Sequence, residues 1–153
     1  MKILIKNGLV INRDGKEKIN VLIENDKISA LTKSEPNADK IIDATGKFVV
    51  PGLIDMHVHF RDPGFEYKDD VITGSETAVA SGVTTALPMA NTRPVNDNAA
   101  ITRAMIEKAQ KRGLIDLLPI GAITQDCKGA KITEMGEMLE AGCVAFSDDG
   151  LPV

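Results

Sequence analysis

The chain has 153 residues, of which 43% are hydrophobic, 26% charged and 3% aromatic. This composition supplies enough aliphatic material for a folded core and argues against wholesale disorder. The net charge of −4 argues against nucleic-acid binding, and no apolar run reaches the ~18 residues that a membrane span needs. The two cysteines do not suggest a disulfide scaffold. We therefore expect a cytoplasmic protein without nucleic-acid or membrane partners.

The first fifty residues contain short apolar or alternating segments that are separated by turn residues. These segments are 2–6, 9–11, 20–24, 27–31, 41–43 and 48–50. Short strands joined by Asn-Gly, Asp-Gly and Asn-Asp turns predict a small antiparallel β unit. The clearest predicted hairpin joins segments 20–24 and 27–31 through Asn25 and Asp26.

From residue 51 onward, the pattern changes to strands that are each followed by a helix. The predicted strands are 53–59, 83–88, 114–120 and 143–146, and the predicted helices are 69–81, 97–112 and 133–141. Asp97 is the predicted N-cap of the second helix. The strands begin roughly 30 residues apart, which is the length of a βα unit.

Four βα units in series predict an α/β fold with a parallel sheet and helices outside it. The sheet is either open and doubly wound or part of a (β/α)₈ barrel. A barrel has eight units and usually ~250 residues, so residues 51–153 would form only its first half. The sequence contains no Gly-rich dinucleotide or P-loop motif, and nothing supports a nucleotide-binding open sheet.

The only two histidines, His57 and His59, are separated by one residue near the end of the first predicted strand. Positions i and i+2 of a strand face the same side, so both imidazoles can converge on one metal ion. Neutral imidazole suits zinc and similar first-row metals. The alternative is that two histidines lie at a strand end without a metal-binding role.

Two further polar residues follow the first and second predicted strands. The guanidinium of Arg61 can bind a substrate carboxylate through two hydrogen bonds; the alternative is an ion pair with Asp55, Asp62 or Glu66. The amide of Asn91 can both donate and accept, which suits a substrate with amide and carboxylate groups. Asparagine is also a common turn residue.

An acidic segment, Ser-Asp-Asp-Gly at positions 147–150, follows the fourth predicted strand. A carboxylate at this place can complete a metal site that the histidines begin. The same composition is typical of an ordinary turn between a strand and a helix. Residue chemistry alone does not choose between Asp148 and Asp149.

Taken in order, these motifs resemble the class I dihydroorotases of the amidohydrolase superfamily. The segments that carry the resemblance are PGLIDMHVHFRDPG, YKDDVITGS, SGVTTALPMANTRPVND and GCVAFSDDG. The resemblance extends over the whole chain. In one departure from the family pattern, Ala90 replaces the usual proline before Asn91, so the backbone at this point is less constrained.

The resemblance implies a two-part fold and a set of site residues. Residues 1–50 would be a portion of a small β-sandwich, and residues 51–153 would be the first half of a metal-bearing (β/α)₈ barrel. His57, His59 and Asp149 would bind Zn²⁺. His59, Arg61 and Asn91 would contact the substrate. Asp149 is preferred over Asp148 because the second acidic residue of this motif is the metal ligand in the family.

The implied activity is the reversible interconversion of N-carbamoyl-L-aspartate and (S)-dihydroorotate in de novo pyrimidine biosynthesis. The family's general base follows a late barrel strand, so no catalytic residue is expected within residues 1–153, and we expect the chain alone to be inactive. The expected partners are the small-molecule substrate, a second copy of the chain in a homo-oligomer, or aspartate transcarbamoylase.

Two alternatives to dihydroorotase remain open. One is a non-catalytic dihydroorotase-like scaffold of aspartate transcarbamoylase, although such relatives typically lose metal ligands that this chain retains. The other is a hydantoinase or allantoinase. Those enzymes also carry the His-x-His motif, but they are not expected to combine Arg61 with the Asn-Thr-x-Pro-x-x-Asp pattern that begins at Asn91.

Overall fold

A computed structural model describes residues 1–153, apart from the side chain of Arg112. The chain divides into two compact units, Met1–Pro51 and Gly52–Val153. Within the described residues, no helix has both the length and the apolar character that crossing a membrane requires.

The unit Met1–Pro51 consists of two small β-sheets. Its strands are β1 (Lys2–Lys6), β2 (Leu9–Asn12), β3 (Gly15–Lys18), β4 (Asn20–Glu24), β5 (Lys27–Thr32), β6 (Lys40–Asp43) and β7 (Phe48–Val49). One sheet has the strand order β5-β4-β1-β6 and the other has the order β3-β2-β7. Leu4, Val21 and Leu22 provide buried apolar side chains in the first sheet.

Strand pairing in this unit confirms one prediction and corrects another. The predicted hairpin is confirmed, since β4 and β5 pair antiparallel and the intervening Asn25 and Asp26 have φ of 51° and 61°. Two-residue hairpin turns of type I′ need positive φ at both positions. The prediction of a purely antiparallel unit is wrong, because β1 pairs in parallel with β6 and β2 with β7.

The unit Gly52–Val153 alternates strands with helices. Its strands are β8 (Leu53–Val58), β9 (Val83–Pro88), β10 (Asp116–Leu117), β11 (Ile120–Gly121) and β12 (Ala145–Phe146), and its helices are α1 (Val71–Ala80), α2 (Ala99–Arg112) and α3 (Met135–Glu140). The strands β10-β9-β8 form one parallel sheet, and β11 and β12 form a parallel pair. The α/β class and the parallel strand pairing predicted from the sequence are confirmed.

The predicted continuous strand over 114–120 is wrong, because it is interrupted before Pro119. The amide of Leu118 donates to the carbonyl of Ala86 in β9, whereas the carbonyl of Pro119 accepts from the amide of Val144, directly before β12. Proline has no amide hydrogen to continue a ladder. The chain therefore changes its hydrogen-bonding neighbour at Pro119, and two short strands replace one long one.

The core of this unit lies between its strands and helices. Its buried cluster contains Phe60, Val71, Ala86, Met105, Ala109 and Leu117. The helical spacing that the sequence shows at Ile101, Met105 and Ala109 is confirmed, since all three lie in or against this cluster. In contrast, β8 exposes Leu53 by 56% and Met56 by 71%, so this edge strand presents apolar side chains to solvent.

The start of α2 differs from its prediction by one residue. Asn98, and not Asp97, is the N-cap, and its side chain accepts from the amides of Ala100 and Ile101 at 3.1 and 3.2 Å. Asp97 instead accepts a hydrogen bond at 3.0 Å from the backbone amide of Asp126. Aspartate and asparagine are both good N-caps. The hydrogen bond from Asp126, 29 positions along the chain, engages Asp97 and leaves Asn98 as the cap.

The cap of α1 gives a first testable prediction. Asp70 accepts from the amides of Ile72 at 2.6 Å and Thr73 at 3.0 Å. Asp70→Ala should lower the free energy of unfolding by about 1 kcal/mol because both amides lose their partner. Asp70→Asn keeps an acceptor and should change little at pH 7. Urea unfolding of the intact protein checks both variants.

The same cap predicts a dependence on pH. The hydrogen bond from the Thr73 amide, with smaller help from Ile72, keeps the pKa of Asp70 below its ordinary 3.8. The stabilisation from the ionised form is therefore fully present above pH 3.8 and is lost as pH falls through the lower folded-state pKa. Asp70→Asn should lack this acid-dependent loss; an identical acid profile in both proteins would contradict the assignment.

Candidate metal centre

Four polar residues lie where three parallel strands end. His57 is the last residue but one of β8, and His59 follows directly after this strand. Asn91 follows β9, and Asp149 follows β12. In parallel α/β folds, the carboxyl ends of the strands and the loops after them form the binding sites. These side chains therefore share one end of the strands although they are far apart in sequence.

His57, His59 and Asp149 form a compact group of possible metal ligands. One ligand atom from each lies within 4.8 Å of the others. The Nε2 atom of His57 is 3.2 Å from Oδ1 of Asp149, and the two imidazole rings are 5.1 Å apart, with an angle of 73° between their planes. Two imidazole nitrogens and one carboxylate oxygen are a donor set that suits zinc and other first-row dications. The residues present therefore fit a metal ion.

Asn91 connects two members of this group. Its Oδ1 lies 3.0 Å from Nδ1 of His59, and its Nδ2 donates to Oδ2 of Asp149 at 2.6 Å. The structure thus brings together four of the five residues that the sequence analysis selected, and it joins them by direct polar contacts.

Asp148, the neighbour of Asp149, has a different environment. It is buried, with 2% exposure, and it accepts from the amides of Ile123 and Thr124 at 2.7 and 3.0 Å and from the Thr124 hydroxyl. Burial acts to raise the pKa of Asp148, but these hydrogen bonds outweigh it and leave the pKa below its usual value. Asp148 therefore anchors a loop, and Asp149 is the carboxylate that faces the histidines.

Arg61 lies in a tight turn directly after the histidines. Its φ is 57°, and its carbonyl accepts from the amide of Phe65 at 2.9 Å. Among the described side chains, Arg61 forms no ion pair with Asp55, Asp62 or Glu66. It also forms no hydrogen bond with the three possible metal ligands. Asp62 pairs instead with Lys108 at 2.6 Å and accepts from the amide of Val71.

The Asp62–Lys108 pair was not anticipated from the sequence. The two residues are 46 positions apart, and neither lies in a pattern that indicates their contact. The carboxylate of Asp62 is almost fully buried, and a buried carboxylate requires a partner. The pair fixes the turn that carries Arg61 against helices α1 and α2.

The loops after β8 and β9 are packed against each other. The amide of Arg93 donates to the carbonyl of Pro63 at 2.8 Å. Gly64 has φ of 94°, and a Cβ atom at this position would lie 1.8 Å from the Arg93 carbonyl oxygen. Only glycine permits this approach, so the loop of Arg61 is held close to the loop of Asn91.

The position of Asn91 is fixed despite the alanine that precedes it. Ala90 is fully buried and packs with Ala122 and Cys127. Its carbonyl accepts from the amides of Thr92 at 2.8 Å and Asn96 at 3.0 Å. Packing and backbone hydrogen bonds therefore constrain this loop where the family pattern has a proline.

Two clefts border the ligand group. One of about 420 Å³ includes His57 and His59 in its lining, and another of about 440 Å³ includes Asn91 and Asp149. The second cleft also contains Cys127, which is buried and free. Burial, followed by the charge of nearby carboxylates, raises the pKa of its thiol to about 11. Cys127 is not among the described residues whose ligand atoms lie within 4.8 Å of one another at this centre.

Comparison with known proteins identifies close relatives. Residues 46–153 match the family model described as dihydro-orotase-like. The chain is 50% identical to a protein named dihydroorotase from Geobacter sulfurreducens, over 100% of this chain and 37% of the relative. It is 46% identical to a dihydroorotase from Caldanaerobacter subterraneus subsp. tengcongensis, over 100% of this chain and 36% of that protein. The chain thus spans little more than a third of the length of these relatives.

Solved structures of related enzymes have the same fold over this region. The L-hydantoinase (dihydropyrimidinase) from Arthrobacter aurescens matches with a TM-score of 0.83 and 28% identity, over 94% of this chain and 32% of that one. The D-hydantoinase (dihydropyrimidinase) from a Thermus species matches with a TM-score of 0.64 and 29% identity, over 90% and 30%. The family match covers every residue of the candidate metal centre, and the chain belongs to the dihydro-orotase-like family.

Proposed function

We propose that the intact protein is a cytoplasmic, zinc-dependent dihydroorotase that interconverts N-carbamoyl-L-aspartate and (S)-dihydroorotate in de novo pyrimidine biosynthesis. The observation that carries this proposal is the group formed by His57, His59 and Asp149, with ligand atoms within 4.8 Å of one another. The 50% identity to a protein named dihydroorotase supports the choice of substrate.

Each residue of the centre has a chemical role in this proposal. His57, His59 and Asp149 hold the metal. When bound, zinc acts as a Lewis acid toward the amide carbonyl and makes water more acidic. Arg61 binds the substrate carboxylate through paired charged hydrogen bonds. His59 and Asn91 orient the ring amide beside it.

The proposed architecture is a (β/α)₈ barrel that begins with residues 51–153, preceded by residues 1–50 as a portion of a β-sandwich. The parallel pairing of the strands supports the barrel. So does the exposed apolar surface of the edge strand β8, which further strands would cover. The relatives are nearly three times as long as this chain, and we place the general base outside residues 1–153.

A hydantoinase is the second candidate, because the L-hydantoinase from Arthrobacter aurescens shares this fold with a TM-score of 0.83. A substrate panel separates the two functions. The intact, zinc-loaded protein is assayed with dihydroorotate, hydantoin and allantoin, with and without a chelator. We expect chelator-sensitive turnover of dihydroorotate. Turnover of hydantoin alone would support a hydantoinase, and no turnover of any substrate would support a non-catalytic scaffold.

Arg61 provides a sharper test of substrate choice. Arg61→Gln removes the charged partner of the carboxylate and should raise KM for dihydroorotate about 10- to 100-fold, the loss expected for a hydrogen bond to a charged group. Hydantoin has no carboxylate, so any residual turnover of it should not change. Arg103→Gln, an exposed arginine on α2, is the matched control. An unchanged KM would exclude Arg61 from carboxylate binding.

A further inference from the structure

The amide of Asn91 lies between two candidate ligands that come from different strands. His59 follows β8 and Asp149 follows β12, and these two residues are 90 positions apart. Asn91 contacts Nδ1 of His59 at 3.0 Å and Oδ2 of Asp149 at 2.6 Å. A single side chain therefore connects the two ends of the ligand group.

The chemistry of the partners fixes the orientation of this amide. An ionised carboxylate only accepts hydrogen bonds, so the NH₂ group of Asn91 faces Asp149. The carbonyl oxygen of the amide then faces His59. A carbonyl oxygen cannot donate, so Nδ1 of His59 carries the hydrogen. In neutral imidazole, this leaves Nε2 unprotonated and its lone pair available.

The other contact of Asn91 orients the carboxylate of Asp149. Oδ2 is occupied by the Asn91 amide, while Oδ1 lies 3.2 Å from Nε2 of His57. The backbone amide of Asp149 donates to the hydroxyl of Ser147 at 3.0 Å, which restrains the turn itself. Oδ1 is therefore the oxygen that remains directed toward the histidines.

We propose that Asn91 is a positioning residue of the metal centre, which sets the tautomer of His59 and the orientation of Asp149 before the metal binds. This inference rests on the proposed metal centre. Histidine ligands commonly donate their second N–H to an acceptor, and loss of that partner weakens metal binding by about 10- to 100-fold. Asn91 performs this role for His59 and simultaneously holds the carboxylate ligand. One N–H and one lone pair of its amide remain free for substrate.

The test is a measurement of zinc affinity in the intact protein by competition with a chromophoric chelator. Asn91→Ala should weaken zinc binding about 10- to 100-fold. Asn37→Ala, an exposed asparagine in the unit Met1–Pro51, should leave the affinity unchanged. Wild-type affinity in folded Asn91→Ala would overturn the proposal. If the wild-type protein itself binds no zinc, the proposed function fails together with this proposal. If wild type and Asn91→Ala bind zinc equally well, only the role of Asn91 fails, so the two failures are distinguishable.

A second measurement tests the proposal on the wild-type protein, whether or not the variant folds. Nitrogen-15 NMR of the imidazole of His59 in the zinc-free wild-type protein should show hydrogen on Nδ1. Asn91→Ala should shift the population toward hydrogen on Nε2, a change that a merely structural role would not produce. Predominant Nε2–H in the wild-type protein would overturn the proposal.

Discussion

Asp149→Asn should abolish the tight zinc binding that we propose for the intact protein, while leaving its unfolding almost unchanged. The substitution replaces an anionic ligand with a neutral amide of the same shape. The zinc affinity should therefore fall by more than about 100-fold, the upper value for removing a ligand's hydrogen-bonding partner. Asparagine tolerates the positive φ of 57° at this position. Because the Asp149 side chain is partly exposed, the amide retains access to water.

Zinc affinity and the urea midpoint of Asp149→Asn are measured on the same preparation. Turnover of dihydroorotate should fall in parallel with bound zinc. Retention of wild-type zinc affinity would remove Asp149 from the metal centre. A large loss of stability would assign it the anchoring role that we give to Asp148.

Asp148→Ala should lower the free energy of unfolding by about 2–4 kcal/mol, because the buried amides of Ile123 and Thr124 and the Thr124 hydroxyl lose their acceptor. Asp148→Asn keeps one acceptor oxygen and should lie between Ala and wild type. Asp126→Asn is the control, since the exposed side chain of Asp126 forms a surface pair with Lys128, and the substitution leaves the backbone amide of Asp126 in place. Its effect should stay within about 0.5 kcal/mol.

The pH dependence of these variants provides an independent check. Because the pKa of Asp148 is lower in the folded state, its ionised form stabilises the fold fully above the ordinary value of 3.8 and loses this effect as pH falls through the folded-state pKa. The destabilisation by Asp148→Ala should therefore shrink in acid. A urea midpoint for Asp148→Ala that equals that of Asp126→Asn at pH 7 would contradict the anchoring role.

Much of the fold follows from local sequence patterns. The alternation of strands and helices after residue 51, the Asn25-Asp26 hairpin and the start of α1 near Asp70 all appear as predicted. Each depends on the periodicity or on the turn and cap chemistry of neighbouring residues. The predictions are wrong where a residue distant in sequence determines the strand pairing, as in the parallel pairing of β1 with β6 and the change of hydrogen-bonding neighbour at Pro119.

The candidate metal centre was likewise predictable from the sequence only in part. The sequence by itself determined that His57 and His59 face one side of a strand end, because residues two apart on a strand share a face. It also determined that polar residues follow the second and fourth predicted strands. Residue chemistry did not choose between the two aspartates, and the family resemblance favoured Asp149; only the tertiary structure shows the physical reason. Thr124, 24 positions away, binds Asp148 and leaves Asp149 free to contact His57 and Asn91. That choice depends on contacts between distant segments, and no local pattern of two adjacent aspartates contains it.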